Sequence, residues 1–179
     1  MSSQLQDVAC VAAPVAQKDI IFHVTADYNI AYWSSRTQDE TIDRQYDSED
    51  LNVNGDNITV NKALPIIAAV AYKNGSGLDE VRVFYVDANK FKLREVRRIG
   101  DENAPWVHGR VLNSKAYELN EKSGLTANVV NTNNGKTQLK VYFQRNPNRL
   151  SLCYSVLAIN NSWSTQEDWS NRTDVTQGH

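Results

Sequence analysis

The sequence predicts an all-β protein: a β-propeller of about three four-stranded blades per chain. Three observations predict it. Apolar runs with small residues recur about sixty residues apart, as LQDVACVAAPV from Leu5, LPIIAAVAYKNG from Leu64 and LTANVVNTNNG from Leu125. After each run come short stretches of alternating apolar and polar residues, the period of a strand. No segment keeps a helical period over about ten residues.

The elements follow in order. Each repeat continues into a second strand: DIIFHVTADYN from Asp19, EVRVFYVDANK from Glu80 and QLKVYFQRNPN from Gln138. In the second repeat Val81, Val83 and Tyr85 point one way, and Arg82 and Phe84 the other. Third strands are IAYWSS from Ile30, KLREVRRIG from Lys92 and RLSLCYSVL from Arg149. Repeats two and three then reach a tryptophan, in APWVHG at Trp106 and NSWSTQ at Trp163. In repeat one TIDRQYDSEDL takes the place of a fourth strand. The turns ADYN, VDANK, QRNPN and NTNNG carry the Asn, Asp, Pro and Gly that hairpin loops need. QDETIDRQYDSEDLNVNGDN reads as a strand plus a long loop, and the tail after Trp169 as coil. The expectation is one propeller-type domain over residues 1–179, with repeats at about 5–50, 64–115 and 121–170. Closed propellers typically have about 4 to 8 blades. Three blades leave sheet faces in water, so the chain is expected to self-associate, and a two-fold homodimer would complete six.

Composition narrows the function. Of 179 residues, 41% are hydrophobic and 22% charged, values of a globular chain, and the net charge is −2. Nucleic-acid binding normally needs a basic stripe. The one basic cluster, Arg94, Arg97 and Arg98, has Glu95 inside it and reads as a solvated strand or an anion-facing rim. No apolar run approaches the roughly 20 residues of a membrane span. MSSQLQDVACVAAPVAQ has no basic n-region and is broken by Asp7 and Pro14, so it is not a signal peptide. The compartment, cytoplasmic or secreted, stays open. Sequons at Asn57, Asn74, Asn160 and Asn171 carry no weight in a chain this rich in Asn, Ser and Thr. Cys10 and Cys153 lack metal spacing and read as buried free thiols. The histidines His23, His108 and His179 form no metal pair, and the acidic run Asp39, Glu40, Asp43, Asp47, Glu49 and Asp50 lacks calcium-loop spacing. No metal or cofactor is expected. There is no G-x-S-x-G, phosphate loop or defensible acid–base carboxylate pair.

What remains is DEVRVFYVDANKFKLREV, which sets Arg82 and Glu95 among apolar and aromatic strand positions. A buried ion pair is a weak way to hold a sheet together. As a ligand site it makes sense: arginine offers five donors in a rigid fork, and a carboxylate only acceptors. Together they can bind hydroxyls that both donate and accept, through charge-assisted bonds. A tryptophan supplies an apolar wall for a sugar's C–H face. The plain alternative is a cross-strand salt bridge on a solvated face.

VRVFY, a turn, LRE and then WVHG resemble the blade signature of the fungal fucose-specific lectins, the Aleuria-type six-bladed propellers, and their small bacterial relatives. That family carries Arg on its second strand, Glu on its third and W-x-x-G at the fourth, positions that fall here on Arg82, Glu95, Trp106 and Gly109. The resemblance implies a non-catalytic lectin for a fucosylated glycan, with Arg82 and Glu95 on sugar hydroxyls. It also implies Trp163 of the next repeat as the stacking wall, Tyr154 as a second wall, and Arg110 at a position that touches ligand. Trp106 is either a wall or inter-blade core. The pair is expected to be open to ligand at the blade edge, so Arg82→Ala should abolish binding and leave the fold intact. Repeat three departs from the pattern at Lys140 and Leu152, repeat one at about Ile21 and Tyr32, so one site per chain is intact. Two alternatives stand beside the lectin. One is a small-molecule enzyme on this scaffold, for example a cyclase or pericyclase of fungal natural-product biosynthesis. The other is a purely structural interaction protein.

Overall fold

The structure, a computed structural model, describes residues 7–131, 137–145, 152–159 and 169–172; for 152–159 and 170–172 only the backbone pairing is described. The repeats become three four-stranded antiparallel sheets, each with its strands in chain order. The first holds β1 (Val8–Ala13), β2 (Lys18–Val24), β3 (Ile30–Ser35) and β4 (Tyr46–Asp50). A hairpin of β5 (Asn52–Val53) and β6 (Asp56–Asn57) follows. The second sheet holds β7 (Ile67–Lys73), β8 (Asp79–Val86), β9 (Leu93–Ile99) and β10 (Val107–His108), and leads into a short helix, α1 (Arg110–Lys115). The third holds β11 (Leu125–Asn131), β12 (Thr137–Gln144), β13 (Leu152–Ile159) and β14 (Trp169–Arg172). The leading strands neighbour one another, β7 between β1 and β11. Each sheet thus runs outward from a shared axis, as a propeller blade does.

Two cores lie between the blades. Ile20, Phe22, Val24, Ile30 and Tyr32 of the first sheet meet Ile67, Val81, Val83, Tyr85 and Val96 of the second, with Trp106 among them. On its other face the second sheet turns Val70, Tyr72, Phe84 and Leu93 toward Leu139, Val141, Phe143 and Trp169. The alternation along β8 splits its side chains between the two cores, so every β8 residue is buried. Carboxylates tie the blades together through backbone amides. Asp7 accepts from Ile67 N at 2.8 Å, and Asp79 accepts from Val15 N and Ala16 N at 2.8 and 2.7 Å.

The structure revises several expectations. The long acidic loop contains the β5–β6 hairpin, turned by Asn54 and Gly55, both at positive φ (56° and 90°). α1, six residues long, is too short to show a helical period. Cys10 is exposed rather than buried, because Val11 and Ala13 take the inward positions of β1 and Cys10 alternates onto the open face. Arg98 is 4% exposed and stacked rather than solvated, since the first sheet covers its face of β9. The side chain of Cys153 lies outside what is described.

Candidate functional site

The register of the second sheet assembles the site. Arg82 pairs with Arg97, and Phe84 with Glu95, so Arg82 and Glu95 are diagonal neighbours on the face turned to the third sheet. Their side chains meet, Arg82 Nη1 donating to Glu95 Oε1 at 2.5 Å. On its other edge Arg82 reaches Glu80 Oε1, from Nη2 at 2.5 Å and from Nε at 2.9 Å. The Tyr72 hydroxyl lies 3.1 Å from Nε. Alternation explains this set. Glu80 stands two residues before Arg82 on the same strand face, and Tyr72 is paired with Glu80 across β7 and β8.

The neighbourhood of Glu95 is built by the residues after β10. The Asn113 side-chain amide brackets the Glu95 main chain, accepting from its N at 2.7 Å and donating to its O at 3.1 Å. It does the work of a paired strand where β10 has ended. Gly109 N also donates to Glu95 O, at 2.9 Å. A Cβ at Gly109 would come within 2.5 Å of Glu95 Cδ, which gives the glycine of W-x-x-G its reason. Arg94 ties α1 to the sheet, donating to Asn113 O at 2.7 Å and to Asp87 Oδ2 at 2.8 Å.

The fork is sealed rather than open. Arg82 is 2% exposed and Glu95 0%, because both faces of the second sheet are covered. Burial opposes the charge on Arg82, but Glu95, Tyr72 and Glu80 outweigh it and hold the guanidinium pKa above its ordinary value. Burial also pushes the Glu95 carboxyl up, against the pull of Arg82 and Arg97. Burial likewise raises the Tyr72 phenol. Glu95 Oε2 has no hydrogen-bond partner. Arg82→Ala would leave Glu95 buried without its ion-pair partner and Glu80 with Arg97 alone as ion partner among the described residues, at 3.9 Å, at a cost of about 3–5 kcal/mol, so it is not the fold-neutral change the sequence suggests.

The other candidate residues separate. Trp106 sits on the opposite face of the second sheet, edge-on to Phe22 (5.9 Å) and Tyr32 (5.8 Å) in the core shared with the first. Arg110 opens α1 and is exposed. Tyr154 lies on β13, with its side chain outside what is described, and Trp163 falls outside the described residues. Phe22 pairs with Tyr32, and Tyr142 with Tyr154, as Phe84 pairs with Glu95. The Arg position is therefore Ile20 in the first repeat, not Ile21, and Lys140 in the third. The Glu position is Tyr32 in the first and Tyr154, not Leu152, in the third. Glu80, Tyr72 and Asn113 escaped the sequence reading. Alternation could have found Glu80; nothing local marks Asn113. Among the described residues no group of acidic, Cys or His side chains could hold a metal ion.

No family model matches the chain, and no curated protein is similar to it in sequence. Solved structures do resemble it. The fucose-specific lectin from Aleuria aurantia superposes with a TM-score of 0.61 at 18% identity, over 93% of this chain and 48% of that one. AofleA from Arthrobotrys oligospora gives 0.63 at 18%, over 94% of this chain and 41% of that one. A fucose lectin from Kordia zhangzhouensis gives 0.57 at 13%, over 92% of this chain and 96% of that one. The Aleuria lectin is a six-bladed β-propeller, and this chain spans about half its length. The fold is a β-propeller in three blades.

Proposed function

We propose that this protein is a non-catalytic carbohydrate-binding protein, a lectin for fucose or a related sugar, centred on Arg82 and Glu95. The observation that carries the reading is the fork itself. A guanidinium and a carboxylate meet at an inter-blade face, and one carboxylate oxygen is left without a partner. Because the fork is closed, a sugar enters only when the facing blade draws back; one hydroxyl then donates to Glu95 Oε2, and a neighbouring hydroxyl oxygen takes a guanidinium N–H in exchange for Glu80 or Tyr72. Trp163 supplies the stacking wall and Arg110, exposed at the start of α1, a rim contact; Trp106 serves the core. The propeller fold shared with fucose lectins supports the reading. A tryptophan-fluorescence titration with a sugar panel tests it: L-fucose or a close relative saturates the signal. A panel without any saturable ligand contradicts it.

We propose further that two chains close a six-blade ring. By register, Val8, Cys10, Ile21, His23 and Trp33 on the outer face of the first sheet match Ile67, Ala69, Val83, Tyr85 and Val96. Those five of the second sheet lie in or against the core shared with the first. Val8 is 58% and Trp33 46% exposed, so an interface-type face stands open to solvent. The third sheet of a second chain, with Thr126, Lys140 and Tyr142 at the positions of Ala68, Arg82 and Phe84, is its complement. Sedimentation equilibrium of a dimer that Trp33→Glu converts to monomer is expected; a wild-type monomer contradicts the ring.

A further inference from the structure

A different cleft, on the opposite face of the second sheet, holds a cation that nothing above uses. Arg98 is 4% exposed, yet it has no ion pair among the described residues, and its Nε has no hydrogen-bond partner. Its guanidinium lies over the Trp106 ring at 5.0 Å and the Tyr32 ring at 5.7 Å. Its acceptors are distant: Tyr32 OH at 3.4 Å and Glu102 O at 3.5 Å. Buried charges are normally paired, and aromatic faces offset only part of the lost hydration. Arg98 lines a cleft of about 200 Å³ between the first two sheets, with Ala13, Lys18, Ile20, Asp79 and Glu102.

The neighbouring carboxylates are all committed elsewhere. Asp79 accepts from Val15 N and Ala16 N, Glu102 pairs with Lys18, Asp101 accepts from Asn103 N, and Glu49 accepts from Tyr32 OH at 2.5 Å. The cleft also mirrors the fork with its parts exchanged. Tyr32 stands at the register position of Glu95, and Ile20 at that of Arg82. The guanidinium comes instead from the facing blade. What is missing beside Arg98 is an anionic acceptor.

We infer that the Arg98 cleft is a second ligand site, taking a small hydroxylated carboxylate such as a uronic acid, its carboxylate on Arg98 and its hydroxyls toward the polar rim of Lys18, Asp79 and Glu102. The site does not depend on the Arg82–Glu95 reading, because the two lie on opposite faces of one sheet. Sodium D-glucuronate and D-glucose, which differ in the carboxylate, are titrated at matched ionic strength into the full chain. The indole N–H resonance of Trp106, assigned through Trp106→Phe, is the readout. Glucuronate should shift it saturably and glucose should not. Glu95→Gln should leave that binding unchanged, and Arg98→Gln should weaken it at least tenfold. An unmoved Trp106 signal in wild type overturns the inference even if Arg98→Gln fails to fold. Equal binding of glucose, or full affinity in a folded Arg98→Gln protein, overturns it as well.

Discussion

Replacing Gly109 with alanine places one methyl group against the most enclosed carboxylate in the fork. Gly109 has φ −72°, a value any residue adopts, so the change carries no strain at φ. The whole effect is contact: the new Cβ falls 2.5 Å from Glu95 Cδ and 2.7 Å from Cγ. Glu95 is 0% exposed and tied to Arg82, so it has no solvent-side rotamer to escape into. If the surroundings yield, overpacking costs about 1–3 kcal/mol. If Glu95 swings off Arg82, a buried pair is broken at about 3–5 kcal/mol. A loss of about 3 kcal/mol lowers the melting temperature of a chain this size by roughly 6–12 °C. The assay is a thermal melt at fixed protein concentration, since self-association couples to stability. Gly124→Ala is the control, because nothing lies within 4 Å of its Cβ. If Gly109→Ala melts alongside wild type, the packing account of W-x-x-G is wrong.

Asn113→Ala removes both bonds to the Glu95 main chain and should cost about 2 kcal/mol, read as a lower urea midpoint with unchanged m. Tyr85, 6% exposed, has its phenol pushed up to about 12, mainly by burial. Its unfolded value is about 10. The neutral phenol is favoured in the fold, so its contribution is complete below pH ~10 and lost as pH rises toward ~12, by about 2–3 kcal/mol. Denaturant melts across that window should track it; stability flat to pH ~12 would refute the burial argument. Glu95→Gln leaves Arg82 paired with Glu80 and should fold, which near-ultraviolet circular dichroism will show.

Much of the fold was legible because strand alternation is local. Arg82 and Phe84 on one face, Val81, Val83 and Tyr85 on the other, follow from parity alone, and the sixty-residue recurrence set the three sheets. Burial was not local. The expectation of an open fork treated the second sheet as having a free edge, whereas blades on both sides cover it. The same oversight made Arg98 a solvated residue. Register was legible only to within a residue or two, hence Ile21 for Ile20 and Leu152 for Tyr154. Asn113 shows the limit: its role depends on β10 stopping at His108 and α1 returning a side chain to β9, which no spacing in the sequence records.

The most direct measurement of the central claim is calorimetric titration of L-fucose into wild type and Glu95→Gln at one protein concentration. The account predicts saturable heat with one site per chain in wild type and its loss in a folded Glu95→Gln protein. Equal binding by both proteins would mean that the sugar does not sit at the fork, and no heat from either would contradict the lectin reading.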